Sequence, residues 1–198
     1  MVKQAKPKTI IDLGCGPFAP WGSLARSHME GAVQEPRDPR YSPTDHPSRV
    51  PLIGVDLCDR LAPVKGQGKQ DAPNPLTYGL DEFVKADALE FVKKLQSPAD
   101  LIIAIDLIER MDRQRGAELL KELSRKAHFL ILGIPRGRRF EAEDEYVGKN
   151  PHDRVRSAWW QDDQDIDGFT CLSHWHGAGS PSFYWLGLYG SSKIPLSG

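Results

Sequence analysis

Two stretches of the chain, residues 100–106 (DLIIAID) and 128–134 (HFLILGI), are apolar almost without interruption. Runs of this length suit strands buried on both faces, which carry no polar alternation because neither side meets water. Between them Gly116, Leu119, Leu120, Leu123 and Ala127 recur at three- and four-residue steps, the stripe of a helix laid on a surface. Strand, helix and strand in that order imply a parallel sheet joined by crossover helices.

The same pattern reaches back towards the start. Residues 9–13 (TIIDL) and 52–56 (LIGVD) are short runs of Ile, Leu and Val that contain or end in Asp, and residues 83–87 (FVKAD) form a weaker third. Ala88, Phe91, Val92 and Leu95 make a second helical stripe, and Glu122 stands four before Lys126 for a supporting ion pair. The end is different. Residues 169–176 and 182–189 are rich in aromatic and β-propensity side chains and flank GAGSP, which reads as an antiparallel hairpin. The expected fold is α/β, a doubly wound, mostly parallel seven-stranded sheet with a C-terminal antiparallel hairpin, in a single domain over residues 1–198.

Composition matters at this point, because 18 glycines and 16 prolines among 198 residues exceed the usual combined share of about 12%. Half of the prolines lie in two patches without period, residues 28–51 (Pro36, Pro39, Pro43, Pro47, Pro51) and residues 63–78. Proline fixes φ and removes a donor, so both patches read as insertions flanking the second strand. Loops longer than about 12 to 15 residues are usually functional or disordered. Residues 28–51 are therefore either a cover or acceptor-recognition loop, or a disordered insertion.

Lys and Arg number 26 against 27 Asp and Glu, which gives no bulk electrostatic attraction to nucleic acid or to an anionic membrane. The basic residues from Arg136 to Arg156 are nearly balanced by interleaved acids. Only Ile10 and Ile11 follow the basic start, too few for a signal-peptide core, and no stretch approaches a membrane span. Cys15, Cys58 and Cys171 are odd in number and far apart, as reduced thiols are. A cytoplasmic protein is expected. His174 and His176 share a strand face but have no third partner at convincing spacing, so no metal is expected.

The sharpest local feature is TIIDLGCG, residues 9–16. A buried strand delivers the chain to a turn where Gly14 and Gly16 admit unusual backbone angles and let a ligand approach the main chain, before a helix expected near residues 19–24. Gly14, Gly16 and Ala19 loosely fit a dinucleotide fingerprint. Asp12, however, would place a carboxylate close to a pyrophosphate. It suits a ligand with a cationic amino-acid end.

With Asp12 before Gly14-Cys15-Gly16, Asp56 closing the second strand ahead of Leu57, and Asp87-Ala88 after the third, the chain resembles class I S-adenosylmethionine-dependent methyltransferases from residue 9 to residue 189. IDLIERM, GIPRG and the Ser157-Ala158-Trp159 region also resemble segments of that family. The resemblance implies the strand order 3-2-1-4-5-7-6 and the cofactor S-adenosyl-L-methionine. It implies that Asp12, Gly14, Cys15 and Gly16 form the loop at the methionine end, that Asp56 with Leu57 meets the ribose, that Asp87 with Ala88 meets the adenine, and that Asp106 lies by the sulfonium. Arg110 stands where many relatives have His, and Gly16 to Asp56 is 40 residues against about 20 in nucleotide folds. The first proline patch accounts for that excess.

The methyl of a sulfonium is already activated, so positioning dominates, and a base matters only for a poor nucleophile such as a hydroxyl. Asp106, Glu109 and His152 are the catalytic candidates. Asp106 could equally cap a helix, with Glu109 completing a capping box, and His152 could cap a helix starting near Val155. The expected activity is methyl transfer to a small-molecule or saccharide-like acceptor. The alternatives are methylation of RNA, DNA or protein, or a non-catalytic cofactor-binding regulatory or structural role.

Overall fold

The structure is a computed structural model that describes residues 7–16, 50–57, 80–136, 154–159, 170–176 and 183–190. The expected parallel core is present. Strands β1 (Ile10–Leu13), β2 (Leu52–Asp56), β3 (Glu82–Lys85), β4 (Ala99–Ile105) and β5 (Ala127–Arg136) lie in the order β3-β2-β1-β4-β5. β1 sits between β2 and β4, with Asp12 opposite Gly54 on one side and Ile103 on the other. This register brings the carboxyl ends of β1, β2 and β4 to one edge of the sheet. Backbone pairing continues past β5, where β7 (Phe183–Gly190) runs antiparallel to it and β6 (Thr170–His176) runs antiparallel to β7, with an irregularity between Cys171 and Ser173.

Alternation along β4 divides the core. Ile102 and Ala104 face one cluster with Ile11, Leu13, Leu130 and Leu132, while Leu101 and Ile103 face a second with Ile10, Leu52, Cys15 and Leu80. Helices α1 (Ala88–Lys94) and α2 (Arg113–Lys126) cover the first cluster with Leu89, Val92, Leu119, Leu120 and Leu123. Each buried leucine of this kind contributes about 1.5 to 3 kcal/mol. The helix expected at residues 19–24 and both proline patches apart from Val50 and Pro51 lie outside the described residues.

Two local expectations are corrected. Glu122 pairs with Arg125 at 3.3 Å and not with Lys126, whose ammonium instead donates to the Leu95 carbonyl at the end of α1. That carbonyl has no partner within its own helix, so it competes well for the lysine. Residues 154–159 form no helix from Val155; the Arg156 and Ser157 amides donate to the Glu109 carbonyl at 2.7 and 3.0 Å, which ties the segment to the turn after β4.

Candidate active site at the carboxyl ends of the strands

The turn after β1 is held by β2. Gly14 and Gly16 have φ of 68° and 59°, a region that glycine enters freely. The Gly14 and Cys15 amides donate to the Val55 carbonyl at 2.8 and 3.3 Å, and the Gly16 amide donates to Asp56 Oδ2 at 2.9 Å. Asp12 is buried beneath this turn. Among the described residues a Cβ on Gly16 would meet nothing within 4 Å, so none of their side chains covers this stretch of backbone. The side of Gly14 is closed by Leu107, whose Cδ1 lies 3.0 Å from where a Cβ would stand. Cys15 points the other way, into the core, where Gly54 leaves room for its sulfur. Burial, then the charges of Asp12 and Asp56, push the Cys15 thiol well up, so it stays protonated and serves as packing rather than as a nucleophile.

At the end of β3, Asp87 accepts from the Glu90 amide at 3.1 Å through Oδ1 and pairs through Oδ2 with Arg115 at 3.0 Å. It is the N-cap of α1, and Ala88 begins the helix in the core. Leu57, after Asp56, is an exposed large apolar side chain.

The turn after β4 is of another kind. Asp106 adopts φ of 52°, uncommon for a residue with a Cβ, with its amide on the Gly133 carbonyl at 3.0 Å. A single 3-10 turn (Ile108–Arg110) follows, with no side-chain cap. The capping box is thereby excluded: Asp106 is not the N-cap, which is Leu107, and Glu109 does not reach back. Instead Asp106 Oδ1 and Glu109 Oε2 are buried without a hydrogen-bond partner among the described residues. Glu109 is 2% exposed. Burial, reinforced by the neighbouring Asp106, pushes its carboxyl up to about 8, although Arg110 Nε stands 3.6 Å from Oε1 and opposes the shift. Burial also raises Asp106, with Arg110 again opposing. Arg110 Nε donates to the Asp106 carbonyl at 2.6 Å, so its guanidinium braces the turn that holds both acids.

A clasp from residues 154–159 fixes this turn from outside. Ser157 Oγ lies 2.8 Å from the Met111 carbonyl and accepts from Trp159 Nε1 at 2.8 Å. Trp159 is fully buried against Gly116, where a Cβ would stand 2.5 Å from its ring, and the Arg113 guanidinium lies over that ring at 3.8 Å from its centroid. Nothing in the sequence singled out Arg115, Leu107 or the polar role of Ser157. Only the Ser-x-Trp spacing hinted at the last. His152 lies outside the described residues, and among those described no three His, Cys, Asp or Glu side chains could hold a metal ion. Nor is any described helix long and apolar enough to cross a membrane.

Strand order, a glycine turn tied to the carboxylate ending β2, and an acidic turn after β4 together specify a comparison with solved structures. The methyltransferase domain of bacterial CtHen1-C superposes with a TM-score of 0.51 at 14% identity, over 96% of this chain and 93% of that one. The fold is that of S-adenosylmethionine-dependent methyltransferases. The magnesium protoporphyrin IX methyltransferase ChlM of Synechocystis PCC 6803, solved with S-adenosylhomocysteine, matches with a TM-score of 0.51 at 15% identity, over 91% of this chain and 72% of ChlM. The bifunctional kinase-methyltransferase WbdD matches with a TM-score of 0.53 at 14% identity, over 95% of this chain, which spans 37% of WbdD. No protein-family model matches the sequence, and no curated protein matches it.

The described residues of this methyltransferase fold meet the needs of such a cofactor. No described side chain comes within 4 Å of where a Cβ on Gly16 would stand, and the acids Asp56 and Asp87 lie at or just past the carboxyl ends of neighbouring strands. Asp106 and Gly14 are brought together there by the packing of Leu107.

Proposed function

We propose that the chain is an S-adenosyl-L-methionine-dependent methyltransferase acting on a small-molecule or saccharide-like acceptor. The observation that carries the proposal is the 2.9 Å hydrogen bond from the Gly16 amide to Asp56 Oδ2, which ties a glycine turn to a strand-end carboxylate across 40 residues of sequence. Asp12, Gly14, Cys15 and Gly16 form the methionine end of the site, Asp56 and Leu57 the ribose end, and Asp87 and Ala88 the adenine end. Asp106 borders the reacting centre. The cofactor, when bound, supplies an activated methyl group. Asp56 offers its carboxylate to the ribose hydroxyls while its bond to Gly16 holds the loop. Asp106 Oδ1, desolvated and raised, takes the proton of a hydroxyl acceptor. Glu109 keeps its own proton at neutral pH and so does not compete as a second negative charge beside Asp106.

The near-balance of charge across the chain supports a small acceptor over a nucleic acid. The remaining parts of the proposal are one domain with insertions at 28–51 and 63–78, the order β3-β2-β1-β4-β5-β7-β6 with the hairpin closing the sheet, and a cytoplasmic site of action. Calorimetric titration with S-adenosylmethionine, S-adenosylhomocysteine and NAD tests it. Saturable binding of the first two is expected, and binding of NAD alone would overturn it. Methyl transfer to oligonucleotide, or cofactor binding with no transfer to any acceptor class, would support the macromolecular or the non-catalytic alternative instead.

A further inference from the structure

Most charged side chains on α1 and α2 have a local account. Lys93 reaches Glu118 at 2.7 Å and joins the two helices, Arg125 sits on Glu122, and Arg113 covers Trp159 while donating to the Ala158 carbonyl. Arg115 is different. It stands in the first turn of α2, where the positive end of the helix disfavours a cation and where Asp112 at the N-cap is the nearest acid in sequence. Its guanidinium crosses to the head of α1 and donates from Nη2 to Asp87 Oδ2 at 3.0 Å. With Arg115 nearly half exposed, the pair contributes little to stability. Stability therefore does not explain the placement.

The contact does fix a carboxylate. Asp87 Oδ1 already accepts from the Glu90 amide, so Arg115 supplies a second donor on the other oxygen and the plane of the group is set from both sides. Each oxygen keeps a further lone-pair direction. A carboxylate held this way accepts from an amino group and repels an oxo group in the same position. We propose that Arg115 is a positioning residue for the purine of the cofactor: by fixing Asp87 it makes the site select a 6-amino over a 6-oxo base. The inference rests on the cofactor assignment above.

The test is calorimetric titration of the full chain with S-adenosylhomocysteine and with S-inosylhomocysteine, whose bases differ in the 6-substituent and in the hydrogen that the 6-oxo base carries on N1. The wild type is expected to favour the adenosyl compound by about tenfold or more, since a buried polar mismatch is costly. Arg115→Ala should weaken the adenosyl compound by roughly three- to tenfold and leave the inosyl compound nearly unchanged. Arg115→Lys, with a charge but no planar fork, should fall between. In an Asp87→Asn background Arg115→Ala should add nothing. Equal weakening of both ligands, or no change in either, overturns the positioning role alone. A wild type that binds neither overturns the cofactor assignment and this role with it.

Discussion

In the turn after β1, each backbone amide from Gly14 to Gly16 has an acceptor on β2, whereas in the turn after β4 two carboxyl oxygens are buried without a hydrogen-bond partner among the described residues. The first turn is complete before anything binds, so little ordering cost remains for a ligand. The second carries unsatisfied groups, each costing about 1 to 3 kcal/mol. Such a cost persists where a group is needed for chemistry or charge. Under the proposed function, binding and reactivity would be divided between two neighbouring strand ends, and Leu107 of the second turn packs on Gly14 of the first.

The largest expected effect concerns what holds the second turn in its costly state. Trp159→Ala removes the ring that fills the space over Gly116 and lies under Arg113, and should destabilise the protein by about 3 to 5 kcal/mol in urea denaturation. A loss below about 1 kcal/mol would mean that the clasp does not support the turn.

Glu109→Gln tests the charge state of that turn. The carboxyl titrates near 4.5 when free and at about 8 in the folded protein. Between these values the unfolded chain binds fewer protons than the folded one, so stability falls as pH rises from about 4.5 to about 8 and levels off above. The slope from this one group approaches about 1.4 kcal/mol per pH unit at most. Glutamine does not titrate, so the variant's urea midpoint should decline less between pH 5 and pH 8. Parallel profiles for the two proteins would show that Glu109 ionises normally.

The first turn was largely legible in the sequence and the second was not. Continuous apolar runs identify β4 and β5 because strands buried on both faces cannot alternate. Paired glycines after such a run mark a turn whatever the surroundings. Aspartate with glutamate three residues on, by contrast, fits a capping box equally well, and nothing local reveals that Asp106 takes a φ of 52° or that Glu109 is buried, since glutamate is rarely buried. Residues 155–159 have no helix breaker, yet the Arg156 and Ser157 amides donate to the Glu109 carbonyl, a tertiary contact that local sequence does not reveal. Arg115 was missed for the same reason, as its partner lies 28 residues away on another helix.

Asp56→Ala returns to the first turn. It removes the acceptor of the Gly16 amide and the proposed ribose ligand together, and should weaken S-adenosylhomocysteine by about 1.5 to 3 kcal/mol. Asp56→Asn keeps an acceptor oxygen for the amide and should lose less. An unchanged dissociation constant in both variants would remove Asp56 from the site.

The smallest effect separates the two glycines. Gly16→Ala carries a strained φ but no steric neighbour among the described residues, so its cost in stability should be about 1 kcal/mol. Its cost in cofactor affinity should be larger, because the added methyl enters the space where a ligand would approach the backbone. Gly14→Ala adds to the same strain a contact with Leu107 at 3.0 Å, so its stability should fall further and the β4 turn should be disturbed with it. Urea midpoints and S-adenosylhomocysteine titrations of the two variants read these quantities separately. If both variants lose stability and affinity in the same proportion, the two turns act as one unit, and the division between a finished binding turn and a poised reactive one fails.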